Sequence, residues 1–273
     1  MPPLFAYSLP FTPLKFFSHF AIFIRRSLLQ ISISEPPLSR FAVILAAAGK
    51  SSRFGDPYKK KVYALLAGKP LWMYAAETFA QRRDVVQTIL VIAAEDKEFF
   101  QEKFAGNAAF MGLEVVVGGT ERADSVRRGL EAVRDDIPLV AIHDAARPAI
   151  ANVWIDAVFQ AAEKSDAAIL AIPCSSTLKR ATKDMTVSET VSRQDLWLAQ
   201  TPQVFKTKLL RDAYARHPRP SSATDDAAIV EAMGSPIRLI EGSPLNIKVT
   251  TQADMKFAEL ALKALPKSNP FPF

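Results

Sequence analysis

Between positions 43 and 55 the chain reads VILAAAGKSSRFG, and Lys59, Lys60 and Lys61 follow within six residues. An apolar run that breaks into alanines, a glycine and serines leaves backbone N–H groups uncovered at a strand end. Arg53 and the lysines add cations there, and donors with positive charge suit a polyphosphate. Ala47, Ala48 and Gly49 alone also read as a tight strand-to-helix turn. Two familiar phosphate signatures are excluded. The glycine that a Walker loop needs five residues before Gly49 is Ile44, and Ser51 and Phe54 break the glycine spacing of a dinucleotide fingerprint. A second chemical segment is IHDAARP at 142–148, where Asp144 closes an apolar run. A carboxylate at a strand's C-terminal end can ligate magnesium, the alternative being a helix cap.

Further motifs are GGTERADSV at 118–126, TVSRQDLWLAQTPQ at 190–203 and NIKVT at 246–250. In this order and at these separations, over residues 41–263, the segments resemble the 2-C-methyl-D-erythritol 4-phosphate cytidylyltransferase family of the non-mevalonate isoprenoid pathway. The resemblance implies a transferase that moves CMP from CTP to that polyol phosphate and releases pyrophosphate with Mg2+. Such a reaction brings anions together, so the protein must chiefly position groups and neutralise charge.

The resemblance implies catalytic roles for Arg53, Lys61, Lys248 and Arg193. The family lysine follows a proline and precedes Gln-Tyr, whereas this chain reads KKKVYALLAGKP at 59–70. Ungapped counting back from Gly68-Lys69-Pro70 selects Lys61, with Lys60 as competitor and a solvated lysine cluster as the bland alternative. Asp144 would hold the metal. His143 reads as structural, since an attacking phosphate is already ionised and needs no base. For CTP the resemblance implies Ala47, Ala48, Gly49, Gly119, Arg122, Ser125 and Ala145, with Gly119 and Ser125 at the pyrimidine edge. Thr120 stands where an acid is common in the family, and Ser51 where a glycine is common.

For the acceptor the resemblance implies Thr177, Arg193 and Thr201, and places Thr224 beside them as a helix cap. An arginine fork pairs two phosphate oxygens at once. Residues 173–200 interrupt the regular rhythm with β-branched and hydroxyl residues around Lys183-Asp184, as a protruding β-arm would. A lone ribbon is marginal in water. In the family such arms clasp a second subunit, which implies a homodimer.

The elements that must carry these residues follow from periodicity. Strands are expected at 41–47, 88–94, 113–117, 139–142 and 167–172, and helices at 71–81, 95–104, from Val126 through Leu130 to Val133, and at 153–163. This β-α alternation predicts an α/β domain, a mostly parallel Rossmann-like sheet with helices on both faces. Ligands in such sheets bind beyond the strand C-termini.

At 273 residues and 49% hydrophobic, the chain can bury one sizeable core. The net charge of +6 is scattered, without stacking aromatics, so nucleic acid is not the expected partner. The single Cys174 fits a reducing, cytoplasmic setting. Residues 1–40 read as an extension, acid-poor and rich in Phe, Pro and Ser. Basic residues interrupt its apolar runs well short of the about twenty residues a membrane span needs. It is expected to be functionally silent, or a transit peptide to a plastid. Residues 264–273 read as a tail. The competing functions are a cytidylyltransferase for another polyol phosphate such as ribitol 5-phosphate, and a non-catalytic nucleotide-binding module. The combination of Arg53, a lysine at 60 or 61, Asp144 and Lys248 argues against the latter, because binding alone does not need a full charge-stabilising set.

Overall fold

A computed structural model describes residues 40–55, 60–217 and 220–266. Lys59, nearly all of the expected extension and the last seven residues lie outside the described residues. Strand β1 (Phe41–Ala46) is followed by the short ribbon β2 (Leu65–Leu66) and β3 (Lys69–Pro70), helix α1 (Leu71–Ala80), β4 (Val85–Ile92), α2 (Lys97–Phe110), β5 (Leu113–Val117) and α3 (Arg122–Ala132). Then come β6 (Leu139–Asp144), α4 (Asn152–Ser165), β7 (Ala167–Pro173), β8 (Leu178–Ala181), β9 (Val187–Val191), β10 (Trp197–Lys206), α5 (Thr207–Arg216), α6 (Asp226–Glu231), β11 (Arg238–Glu241) and α7 (Gln252–Lys263).

Seven strands form one sheet in the order β11-β7-β10-β6-β1-β4-β5. Every pairing is parallel except those of β10, which runs antiparallel to β6 and β7. The apolar run of β1 is continuous because both faces are covered. Phe41, Val43 and Leu45 pack on the side of α1, α2 and α4 with Trp72, Phe79, Phe100 and Phe159. Ala42 and Ile44 point the other way, into Val126, Leu130, Leu210 and Ile229 of α3, α5 and α6. Truncating a core ring such as Phe79 to alanine would cost about 3–5 kcal/mol.

Several expected boundaries move. Helix α2 starts two residues late, after a 3-10 turn, and continues to Phe110 rather than stopping at 104. Gly106 weakens a helix by about 1 kcal/mol, but Phe104 and Ala108 on either side of it pack on the core and carry the helix through. Val133 keeps its buried place in the apolar stripe although α3 has ended and its backbone is extended. Strand β6 includes Asp144 as its last residue. The cap of α6 is Asp225, not Thr224: its carboxylate accepts the Ala228 N–H at 3.0 Å, while Thr224 lies one residue too early and is exposed.

The arm leaves the sheet after Pro173 and rejoins it at Trp197, which pairs with Pro173. Strands β8 and β9 form a separate two-stranded ribbon, and Val187 and Met185 on it are 63% and 84% exposed. Among the described residues no helix is long and apolar enough to cross a membrane.

Candidate active site

Strands β1, β5 and β6 end on one edge of the sheet, and three loops meet there. The Ala47 N–H still bonds to the Val91 carbonyl at 2.9 Å, extending β1 by one residue. The chain then turns through Ser51, which takes the left-handed region at φ 56°, and Phe54 N–H closes onto the Ser51 carbonyl. Phe54 is buried against Leu71 and Val249 and anchors the loop from below. The Ser51 hydroxyl accepts the backbone N–H of Lys61 at 3.1 Å, which brings that lysine to the loop.

After β5, Gly118 and Gly119 let α3 approach closely. A Cβ on Gly118 would lie 2.6 Å from Ser125 Oγ, and one on Gly119 only 2.4 Å from the Cβ of Asp124. Helix α3 begins with a reciprocal cap between Glu121 and Asp124. It presents Arg122 and Ser125 across the loop of Ala48–Arg53.

Two cavities adjoin at this edge. The first is walled by Ala48, Gly49, Arg53, Lys61, Arg122 and Ser125, together with Asp144 and Lys248. The second contains Arg147, Thr201, Gln203, Thr224 and Asp225. Arg122, Asp144 and Lys248 belong to both walls.

Asp144 is the centre of charge. Lys248 Nζ lies 2.7 Å from its Oδ2, Arg147 Nε 3.7 Å from the same oxygen, and Arg122 Nε 3.6 Å from Oδ1. Burial alone would raise the carboxyl's pKa. Arg122, Lys248 and Arg147 outweigh it and hold the group well below the usual carboxylate range. Lys61 shows the opposite balance. Burial first, then Lys248 and Arg53, lower its pKa despite the pull of Asp144, and its ammonium donates to the Val249 carbonyl at 3.0 Å. Lys60 is turned away, its ammonium 2.6 Å from Glu95 and 3.0 Å from Asp96.

His143 has no exposed surface. Burial lowers its pKa to about 4, so the ring is neutral. Its Nδ1 lies 3.1 Å from Thr201 Oγ1 and its Nε2 3.2 Å from the Arg147 carbonyl. The Thr201 hydroxyl also accepts the Asp144 N–H at 3.1 Å. Thr201 therefore borders the second cavity with its hydroxyl already committed to fixing Asp144 and His143.

The remaining expected residues divide between the cavity walls and places behind or away from them. Ala47 and Ala145 are buried behind the wall, with the Ala145 N–H given to Ala46. The Gly119 N–H is spent on Ser125 Oγ at 3.2 Å and is not free for a base edge, while Ser125 itself lines the first cavity. Thr120 bonds to Asp124 and lines the first cavity. Thr177 and Arg193 line neither cavity. Arg193 folds back onto the Ser175 carbonyl, and the arm projects from the sheet edge. Sequence reasoning missed Arg147, a buried guanidinium whose Nη1 donates to the Asn246 carbonyl at 2.6 Å. Its signal in the sequence is an arginine three residues after Asp144, inside the IHDAARP segment. Gln203 was also missed. It accepts the N–H groups of Asp226 and Ala227 and donates to Asp225 at 2.7 Å, tying the second cavity's wall together.

No trio of His, Cys, Asp or Glu able to hold a metal occurs among the described residues. Magnesium keeps several waters and takes one or two carboxylates plus substrate phosphates. A single ionised Asp144 whose Oδ1 has no closer cation than Arg122 fits that manner of binding.

A family model described as 2-C-methyl-D-erythritol 4-phosphate cytidylyltransferase matches residues 41–264. A protein of that name from Rhodopirellula baltica is 42% identical, the match covering 81% of this chain and 94% of the relative. One from Alkaliphilus oremlandii is 40% identical, over 83% and 96%. Among solved structures, the Thermus thermophilus enzyme of that name superimposes with a TM-score of 0.67 at 30% identity, covering 82% of this chain and 99% of that one. The Francisella tularensis one gives 0.69 at 29%, over 82% and 100%.

Proposed function

The chain belongs to the 2-C-methyl-D-erythritol 4-phosphate cytidylyltransferase family, and from that premise we propose how its two cavities carry out the transfer. The enzyme moves CMP from CTP to 2-C-methyl-D-erythritol 4-phosphate and releases pyrophosphate, a step of isoprenoid precursor synthesis. CTP occupies the first cavity, with its phosphates along Gly49, Arg53 and Lys61. The acceptor occupies the second, its phosphate facing Arg147 and Lys248. An acceptor phosphate oxygen attacks the α-phosphorus, and the bond from that phosphorus to the bridging oxygen of pyrophosphate breaks. No proton need be moved from the attacking group, which agrees with a neutral, fully engaged His143.

Lys61, Arg53 and Lys248 neutralise charge as it shifts toward the leaving group, and such fixed charges need little reorganisation. Asp144 would hold Mg2+, which when bound supplies further charge neutralisation at the triphosphate. Thr177 and Arg193 serve the acceptor from the arm of a second copy of the chain, so the working form is a homodimer in the cytoplasm. Catalysis resides in residues 41–263, and the extension of 1–40 is dispensable for it.

One observation carries this reading: Arg122, Asp144 and Lys248 stand in the walls of both cavities, so a nucleotide and a sugar phosphate bound side by side meet across them. Pyrophosphate release should be measured with CTP, Mg2+ and either 2-C-methyl-D-erythritol 4-phosphate or ribitol 5-phosphate. Fast release with the first and little with the second is expected. Equal or greater release with ribitol 5-phosphate would reassign the acceptor.

A further inference from the structure

Asp226 lines neither of the two cavities, yet it is the one carboxylate among the described residues with no exposed surface. It opens α6, and its backbone N–H donates to Gln203 on β10 at 3.1 Å. Its Oδ2 accepts from Arg122 Nη2 at 2.8 Å and its Oδ1 from the Tyr214 hydroxyl at 2.6 Å. A buried charge is tolerated only when paired and hydrogen-bonded, and here α3 and α5 each supply a strong donor.

Arg122 is thereby held between two carboxylates, close to Asp226 and loosely, at 3.6 Å, to Asp144. A guanidinium carries five N–H donors in a fixed fork. The bond to Asp226 goes through Nη2, and no described acceptor bonds to Nη1, so donors remain for ligands in either cavity. Without the charge of Asp226, Asp144 would be the main carboxylate left to draw Arg122. The guanidinium would then close onto the carboxylate around which both cavities meet.

We infer that Asp226, clamped by Tyr214, is a positioning residue for the transfer, holding Arg122 off Asp144 so that its free donors face the junction of the two cavities. The inference rests on Arg122 meeting substrate phosphates there. Asp226 itself touches no substrate.

The test compares Arg122→Gln, Asp226→Asn, Tyr214→Phe and the doubles of Arg122→Gln with each of the other two. Pyrophosphate release with CTP, 2-C-methyl-D-erythritol 4-phosphate and Mg2+ gives kcat and both KM values, and each variant is checked for its melting temperature. Groups behind a reacting site commonly alter activity by about 10- to 100-fold. Asp226→Asn should lower kcat by about that much with the CTP KM within about threefold. Tyr214→Phe should lower it about threefold, since one of two clamping bonds is lost. Partners that act through one another are non-additive, so neither change should slow Arg122→Gln more than about twofold further.

Multiplicative losses in the doubles would overturn the inference, because Asp226 and Tyr214 would then act independently of Arg122. So would an unchanged kcat in Asp226→Asn beside a slow Arg122→Gln, an outcome that leaves Arg122 in the site. If Arg122→Gln is itself as fast as wild type, the placement of Arg122 fails and the positioning role with it. Should Asp226→Asn not fold, Tyr214→Phe alone and on Arg122→Gln decides by the same additivity criterion, because it keeps the carboxylate and nearly all the ring volume.

Discussion

The two cavities differ in how they are built. The first is walled largely by one loop, by the first turn of α3 and by the end of β6, with backbone and small residues making close approach possible. The second is walled by side chains from β10, the start of α6 and the loop after β6, cross-linked by Gln203, Arg147 and Asn246. Its expected arm residues, Thr177 and Arg193, are elsewhere in the same chain. The first cavity combines loop backbone with cations such as Arg53 and Lys61 that lie close by in sequence, whereas the second depends on side chains gathered from distant segments. On the proposed reading, some come from another copy.

The largest expected effect separates adjacent lysines at the first cavity. Lys61→Ala should reduce turnover by about 100-fold or more, in the range seen when a charge-stabilising donor is removed. Lys60→Ala should stay within a few-fold of wild type, because Lys60 pairs with Glu95 and Asp96 instead. Steady-state pyrophosphate release decides, and equal losses in both would erase the distinction.

Next is the base of the arm. Leu196, Trp197 and Leu198 are 41%, 40% and 51% exposed, a run of apolar residues beside the ribbon. Leu198→Glu should shift sedimentation from dimer to monomer and lower kcat/KM for the acceptor about tenfold. The CTP dissociation constant, read by calorimetry, should move less than twofold. A comparable loss of CTP affinity would mean the cavities are not separable in this way.

The pH dependence of stability probes the strut behind both cavities. His143 has a folded pKa of about 4, below its ordinary 6.5, so the unfolded chain binds the proton more readily between these values. Its contribution is complete above pH 6.5 and is lost as pH falls toward 4. Between pH 7 and 5 the loss is about 2 kcal/mol. Urea unfolding of wild type and His143→Asn at both pH values should show this extra loss only in wild type.

The smallest effect concerns Ser51. Ser51→Gly relieves a left-handed backbone, worth up to about 1 kcal/mol, but removes the acceptor for the Lys61 N–H, worth about as much. The melting temperature should hold steady while turnover falls about threefold. Ser51→Ala keeps the strained φ and loses the bond, so it should melt below both.

Legibility in the sequence follows the same division. The parallel sheet, the loop of Ala48–Arg53 and Asp144 at the end of β6 could be read because each is a local pattern of apolar run, small residues and charge. The choice of Lys61 over Lys60 came from spacing, and the opposite orientations of the two side chains emerge only in the fold. Gly119 and Thr201 lay at the right edge of the sheet, yet the N–H of one and the hydroxyl of the other are spent on internal bonds, which spacing does not reveal. Asp225 took the cap from Thr224 by a shift of one residue. Arg147, Gln203 and the Arg122–Asp226–Tyr214 connection join segments as much as 104 residues apart, and no periodicity encodes them.

The claim that one chain receives the nucleotide while a second completes the acceptor cavity is tested most directly by mixing two inactive variants, Lys61→Ala and Arg193→Ala. After subunit exchange verified by mass, pyrophosphate release with CTP, 2-C-methyl-D-erythritol 4-phosphate and Mg2+ should return to about a quarter of wild type. Half of the molecules are then mixed dimers, each with one site containing both residues. Exchange with no recovered activity would contradict the account and return both residues to a site built by a single chain.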